Sequence, residues 1–364
     1  MKSKKGLIAI VLSCLILGAA LFYAGLMTGL RIANSEKNQT ETLVDKKQTP
    51  KKETKPATKT KEDGKIVSGK LHVDGNHLVD GDGNVVQLRG VSTHGLSWFP
   101  QYVNPETLKT IHDDWGANVF RLAMYTAEYN GYCSGGDKES LKNTIRNGIK
   151  YATDLKMYVI VDWHILSDCN PMQNKEEAKN FFREISKEYK DNPYVIYEIC
   201  NEPQNSPWSS VIKPYCEEVI QVIRENTKDA IILCGTNTWS QDIHEVVNDR
   251  INDENVMYVM HFYAGTHKDD LRNRMKNALD ANLPVFVSEC SIVDASGNGN
   301  IDYDSANKWL DLMNKYKVSF LAWSLCNKNE SSALLSPETE KLSGWNDGEL
   351  SETGRFFKKA ISGK

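Results

Sequence analysis

The 364-residue sequence has no C-x-x-C pair, no glycine-rich phosphate loop and no basic excess in its main body. Each absence removes a class of function. Of the eight cysteines, Cys14 lies in an apolar N-terminal run, and Cys133, Cys169, Cys200, Cys216, Cys234, Cys290 and Cys326 are widely scattered. That scatter excludes the paired-ligand pattern of a structural zinc site. Seven body cysteines are an odd number, so no disulfide framework is assigned. Cys200, Cys234, Cys290 and Cys326 sit in or beside strand-like runs, where a small buried thiol is the expected state. Gly297 and Gly299 come late and do not form G-x-G-x-x-G, which counts against a dinucleotide-binding open sheet. Residues 1–66 hold 13 of the 44 Lys and Arg and 6 of the 48 Asp and Glu, leaving 31 basic and 42 acidic side chains beyond them. So acidic a body lacks the footprint that a phosphate backbone needs, and nucleic acid is excluded as a partner. An uncharged polymer remains compatible.

At the N-terminus, Lys2, Lys4 and Lys5 precede 25 residues without a charge, positions 6–30. As a helix this run measures roughly 37 Å, enough for a bilayer core of about 30 Å. A cleavable signal peptide usually has an apolar region of only about 7–15 residues. Residues 1–30 are therefore expected to be an uncleaved signal-anchor, with cleavage near Gly18-Ala19-Ala20 as the competing outcome. The leading lysines place the N-terminus in the cytoplasm and the body outside, anchored to the cell membrane. Residues 31–66, rich in Lys, Thr and Glu with Pro50 and Pro56, cannot bury enough apolar surface to offset ordering and read as a disordered tether.

From residue 67 to 364 the pattern changes. Leu71-His72-Val73 and His77-Leu78-Val79 flank Asp74-Gly75-Asn76, a short hairpin. Strand-like runs follow at 86–90, 119–123, 158–162, 195–199, 231–234, 256–261, 285–288 and 320–323. Between them lie amphipathic stretches at 105–115, 141–155, 176–189, 211–226, 269–282 and 305–316, with a weak fifth helix around 241–247. Asn104 before Pro105 is a start signal for the first of these. Eight strands alternating with helices predict a (β/α)8 barrel, with a doubly wound sheet as the competing architecture.

In such a barrel the functional site lies where the strands end. Glu202 closes the run Val195-Ile196-Tyr197-Glu198-Ile199-Cys200-Asn201, and Pro203 stops the strand there. Glu289 ends Val285-Phe286-Val287-Ser288 in the same way. A carboxylate at a buried strand end costs desolvation, and two of them are the minimum equipment for splitting a glycosidic bond. Other strands exit into His94 and Trp98, Arg121 and Tyr125, Asp162-Trp163-His164, His261-Phe262-Tyr263, and Trp323 with Lys328. Arg121 alone could be a structural ion pair. The three histidines come singly from three strands beside glutamates and aromatics, which reads as a polar sugar pocket rather than a metal site. Trp323 could be core, yet beside such a site it reads as a stacking platform for a pyranose face.

These motifs, Arg121, Asp162-Trp163-His164, Ile199 to Pro203, His261-Phe262-Tyr263-Ala264-Gly265-Thr266-His267, Ser288-Glu289 and Ala322 to Lys328, resemble glycoside hydrolase family 5, especially its bacterial endo-β-1,4-glucanases. The resemblance covers residues 67–361, and Cys326-Asn327 before Lys328 departs from the usual polar pair. It implies that Glu202 is the general acid/base and Glu289 the nucleophile of a retaining double displacement, without metal or other cofactor. Asn201 is then expected to bond the 2-hydroxyl of the attacked sugar, and Arg121 and Tyr263 to orient Glu289 and lower its pKa. His164 and His261 would line the cleft beside the acid, with His94, Trp98, Tyr125, Trp323 and Lys328 contacting sugars on the non-reducing side. The expected partners are a β-1,4-glucan and, through the anchor, the membrane, with the chain acting as a monomer. A β-mannanase, xylanase or mixed-linkage glucanase on the same barrel stays open, as does a non-catalytic glycan-binding protein. The retaining mechanism predicts a carboxyl separation of about 5–5.5 Å.

Overall fold

The computed structural model describes residues 69–363, so the predicted anchor (1–30) and tether (31–66) lie outside the described residues. Among the described residues, no helix is long and apolar enough to cross a membrane. Three short strands come first: β1 (His72–Asp74), β2 (His77–Val79) and β3 (Val85–Val86), paired antiparallel in that order. The predicted run 86–90 is thus divided. Its start closes this small sheet, and its end opens β4 (Arg89–Thr93), the first strand of the main sheet.

The main sheet continues through β5 (Val119–Tyr125), β6 (Tyr158–His164), β7 (Val195–Glu198), β8 (Ile232–Cys234) and β9 (Val256–Val259). β10 (Phe262–Tyr263) extends the β9 segment, and β11 (Val285–Ser291) and β12 (Phe320–Leu325) complete the set. Neighbours are parallel, β12 pairs with β4, and β11 pairs with β9, so the sheet closes on itself as an eight-stranded barrel. Helices Pro105–Asp113, Lys138–Asp154, Lys175–Glu188, Lys213–Arg224, Asp269–Asp280, Tyr303–Tyr316 and Glu352–Ser362 cover it. The fifth connection has no long helix, in line with its weak apolar pattern: a four-residue turn, Asn237–Ser240, is followed by a 3-10 turn, Ile243–Val246.

Local chemistry sets the helix limits. Asn104 accepts from the Thr107 amide ahead of Pro105, and Asp137 accepts from the Glu139 and Ser140 amides, so the second helix begins at Lys138 rather than at 141. The Lys213–Arg224 helix carries Pro214, which has no N–H to give the preceding turn, and the chain just before it, Trp208–Ile212, is widened into a π-helical turn.

Alternation along the strands builds two cores. Outward residues such as Phe120, Leu122, Val159, Val161 and Tyr197 pack under the helices. Inward residues Val119, Tyr158, Ile160, Ile196, Leu233 and Phe286 fill the barrel together with Leu71, Leu78 and Val86 of the small sheet. Since these inward residues lie early in their strands, the small sheet plugs the N-terminal end. The opposite mouth carries the polar side chains.

β11 breaks the alternation once. Val287 pairs with Phe320 and Cys290 with Ala322, so three residues of β11 span two of β12. This bulge sends Cys290 to the outer layer beside Val287 and leaves both Ser288 and Glu289 at the inner mouth.

Candidate active site

The same inward register that packs the barrel base places Ser92, Arg121, Asp162 and Glu198 one layer higher on β4 to β7, with Ser92 opposite Arg121 and Asp162 opposite Glu198. Arg121 is fully buried and all its donors converge on acceptors. Its Nε and Nη2 bind the two Glu198 oxygens at 2.7 and 3.0 Å. Nη2 also reaches Asp162 at 3.0 Å and Asn201 Oδ1 at 2.6 Å, while Nη1 reaches Ser92 at 3.2 Å and Glu289 at 3.3 Å. Burial alone would lower the Arg121 pKa, but the charges of Asp162, Glu198 and Glu289 raise it beyond its ordinary value. The guanidinium is therefore a fixed cation at the base of the site.

Arg121 also orients Asn201. Because Arg121 donates to Oδ1, the amide nitrogen must face the Ile165 carbonyl at 3.1 Å and His164 Nε2 at 3.3 Å. His164 then accepts at Nε2 and donates from Nδ1 to Asp162, 2.5 Å away. Burial holds His164 well below the ordinary histidine range, in keeping with this neutral tautomer. Burial pushes Asp162 up to about 7 against the pull of Arg121.

Glu202 and Glu289 face each other above this layer. One oxygen of each, together with a ring nitrogen of His261, lie within 4.8 Å of one another. Glu289 accepts from the Tyr263 hydroxyl at 2.8 Å and from Arg121. Glu202 meets His261 Nδ1 at 2.9 Å. Burial, then the charge of Glu202, pushes Glu289 up to about 7, while His261, Arg121 and the Tyr263 hydrogen bond pull it down. Arg121 and Tyr263 do lower this pKa, as expected, but burial raises it by more than they take off. Burial pushes Glu202 higher still, to about 8, with Asp162 and Glu198 adding to it and Arg121 opposing. Glu289 thus carries a cationic and a phenolic donor, whereas Glu202 carries neither.

The three donor atoms of Glu202, His261 and Glu289 are close enough for a metal ion. Both His261 nitrogens are already engaged, by Glu202 and by Ser288 at 2.9 Å, and Glu289 already has a cationic partner in Arg121. The hydrogen-bond pattern fits proton chemistry better than ligation.

The predicted aromatic residues surround this pair. Trp323 stacks on His164 at 5.3 Å and 11°, and packs with Ala123 and Tyr125. His94 lies between Trp98 and Trp323, with ring centroids 5.5 and 5.2 Å away, and Tyr125 is 4.8 Å from Trp98. Trp323 is only 6% exposed and Trp98 is 36% exposed, so Trp98 presents more of its ring at the surface. Lys328 stands over the same wall and pairs with Glu330 at 2.6 Å. Burial pushes His94 down to about 3, which leaves it neutral 3.8 Å from Glu330.

Four residues escaped the sequence-based choice of site. Glu198 and Ser288 link Arg121 to His261, Glu330 holds Lys328, and Trp239, 45% exposed, stands in a loop whose amide binds the Pro203 carbonyl. Thr238, Trp239 and Ser240 all have left-handed φ angles of 55–56°, a strained turn beside the Glu202 segment. Alternation could have revealed Glu198: counting inward from Ile196 puts a charge at the next interior position.

The family described as Cellulase (glycosyl hydrolase family 5) matches residues 79–329. Endoglucanase A of Butyrivibrio fibrisolvens is 47% identical over 319 residues, 86% of this chain and 74% of that protein. Endoglucanase A of Evansella cellulosilytica is 48% identical over 281 residues, 77% of this chain and 57% of that protein, so the chain spans little more than half of that relative. Among solved structures, the catalytic domain of Thermobifida fusca endoglucanase Cel5A, a Glu-to-Gln variant bound to cellotetraose, is 36% identical with a TM-score of 0.77, covering 80% of this chain and 97% of that one. A structure titled Cellulase Cel5C_n is 40% identical with a TM-score of 0.79, covering 82% and 93%.

Proposed function

The chain belongs to glycosyl hydrolase family 5, and from that membership and its facing carboxylates we propose that it is a retaining endo-β-1,4-glucanase. Glu289 attacks the anomeric carbon while Glu202 protonates the leaving oxygen. Water, deprotonated by Glu202, then releases the sugar from Glu289. One observation carries this assignment: oxygens of Glu202 and Glu289 lie within 4.8 Å of each other. So close an approach fits the roughly 5–5.5 Å carboxyl spacing of retaining enzymes better than the roughly 6.5–9.5 Å that leaves room for a water.

Arg121 and Tyr263 orient Glu289, and Asn201 bonds the 2-hydroxyl of the attacked sugar through its amide nitrogen. Its 3.3 Å contact to His164 is the longest bond that nitrogen makes and the one a hydroxyl would displace. His164 and His261 border the acid. His94, Trp98, Tyr125, Trp323 and Lys328 form the wall for sugars on the non-reducing side. We further propose that the apolar run 6–30 anchors the chain with residues 67–364 outside the membrane, and that it acts as a monomer without a cofactor.

A panel of carboxymethyl-cellulose, barley glucan, mannan and xylan tests the substrate. The expected result is reducing-sugar release with rapid viscosity loss on the first two. Preferential turnover of mannan or xylan would replace the glucan assignment, and α-anomeric first product in NMR would remove the retaining mechanism.

A further inference from the structure

The Ser288 hydroxyl has one proton and two neighbours: Glu198 Oε1 at 2.7 Å and His261 Nε2 at 2.9 Å. Glu198 is gripped by two guanidinium N–H donors of Arg121, so it stands as an ion-paired carboxylate that can only accept. The Ser288 proton therefore goes to Glu198. At its other contact the Ser288 oxygen must accept, so His261 carries its proton on Nε2. A neutral imidazole so protonated presents a bare Nδ1 lone pair to Glu202, 2.9 Å away. Two acceptors cannot bond, and the proton in that contact belongs to Glu202.

We propose that Ser288 and Glu198 are positioning residues that set the direction of this hydrogen-bond chain and thereby hold Glu202 in its acid form. The inference rests on the double displacement assigned above and adds a cause for the state of its acid. Burial drives His261 down to about 4, so the imidazole is neutral where the chain requires it. The charged and titratable groups around Glu202 are Arg121 on β5, Asp162 on β6, Glu198 on β7, His261 and Tyr263 around β10, and Glu289 on β11, with Tyr125 also within its field. His261 alone makes a hydrogen bond to the Glu202 carboxyl among the described residues.

The polarity serves both half-reactions. In the first, the Glu202 proton passes to the glycosidic oxygen as its bond to carbon breaks and Glu289 bonds to that carbon. The resulting carboxylate then faces the bare Nδ1, an unfavourable contact that strengthens it as a base. In the second half, Glu202 takes a proton from water, the water oxygen bonds to the anomeric carbon, and the bond to Glu289 breaks.

The test compares wild type, Ser288→Ala, Ser288→Cys and Ser288→Thr in pH profiles of kcat/KM. One substrate is a cello-oligosaccharide; the other is a dinitrophenyl cellobioside, whose leaving group needs no proton. In Ser288→Ala the Nε2 proton loses its acceptor, the Nδ1–H tautomer becomes available, and that N–H stabilises ionised Glu202. The alkaline limb should then move down by about one unit or more, and the loss at pH 8 should be about tenfold greater on the cello-oligosaccharide. Ser288→Thr, which keeps the hydroxyl, should restore the limb, and Ser288→Cys should fall between. An unmoved alkaline limb in both Ser288→Ala and Ser288→Cys, or equal losses on the two substrates, overturns the inference while leaving the double displacement intact. A wild type that cleaves neither substrate overturns both.

Discussion

At the residue scale, the site stores protons on carboxylates that water would ionise. Glu202, pushed up to about 8, holds a proton in the folded state that the unfolded chain releases near its ordinary value of 4.5. The sign follows: more protons are bound by the native state between those limits, so this group's contribution to stability is complete below about 4.5 and is lost as pH rises toward 8. Glu202→Gln has no proton to lose, and its amide can still donate to His261. Urea midpoints should show the variant equal to wild type near pH 4.5 and more stable, by up to a few kcal/mol, at pH 8. Parallel pH dependences would refute it. Arg121 supports the opposite prediction. Arg121→Met leaves Glu198 and Asp162 buried without their cation, and should cost about 3–5 kcal/mol in the same assay. A loss below about 1 kcal/mol would show that those carboxylates find other partners. Glu202 and Glu289 were legible in the sequence because each follows an apolar run, although β7 already ends at Glu198 and β11 continues to Ser291. Glu198 sits inside one and was legible only by counting the inward register from Ile196; its neighbours in three dimensions show why a charge is tolerated there.

At the element scale, strand exits are placed by close backbone contacts. A methyl group on Gly235, just after β8, would lie 2.0 Å from the Cys200 carbonyl, immediately before Asn201 and Glu202. Gly235→Ala must push that segment aside, so kcat should fall by tenfold or more, about 1.4 kcal/mol in barrier, with a smaller change in KM. Unchanged kcat would mean that the β7 exit tolerates displacement. The bulge in β11 shows the limit of pattern reading. Period-two counting from Phe286 puts Ser288 inside and Glu289 outside, and it is the extra residue between Val287 and Cys290 that brings both inside. No residue in that run announces a bulge. Helix limits were read to within a few residues where a cap was visible, as at Asn104, and missed where the cap lay outside the apolar pattern, as at Asp137.

At the scale of the whole molecule, the barrel divides its labour between ends. The small sheet and apolar inward residues fill one end, and the Arg121 layer, the two glutamates and the aromatic wall occupy the other. Alternation of strands and helices made this architecture legible in the sequence, because eight apolar runs separated by amphipathic ones leave few ways to bury both faces of a parallel sheet. The proposed anchor and tether supply none of the residues in this site. Deleting residues 1–66 should therefore leave kcat on soluble glucan within about twofold, while moving the protein from the membrane to the soluble fraction. Loss of activity on deletion, or an unchanged membrane fraction, would contradict those roles.

The double displacement is tested most directly by trapping its intermediate. Incubation with dinitrophenyl 2-deoxy-2-fluoro-cellobioside, followed by mass spectrometry of the intact chain and its peptides, should find a single fluorocellobiosyl group on Glu289. A label on Glu202, or full activity on cellulose with no label anywhere, would contradict the account.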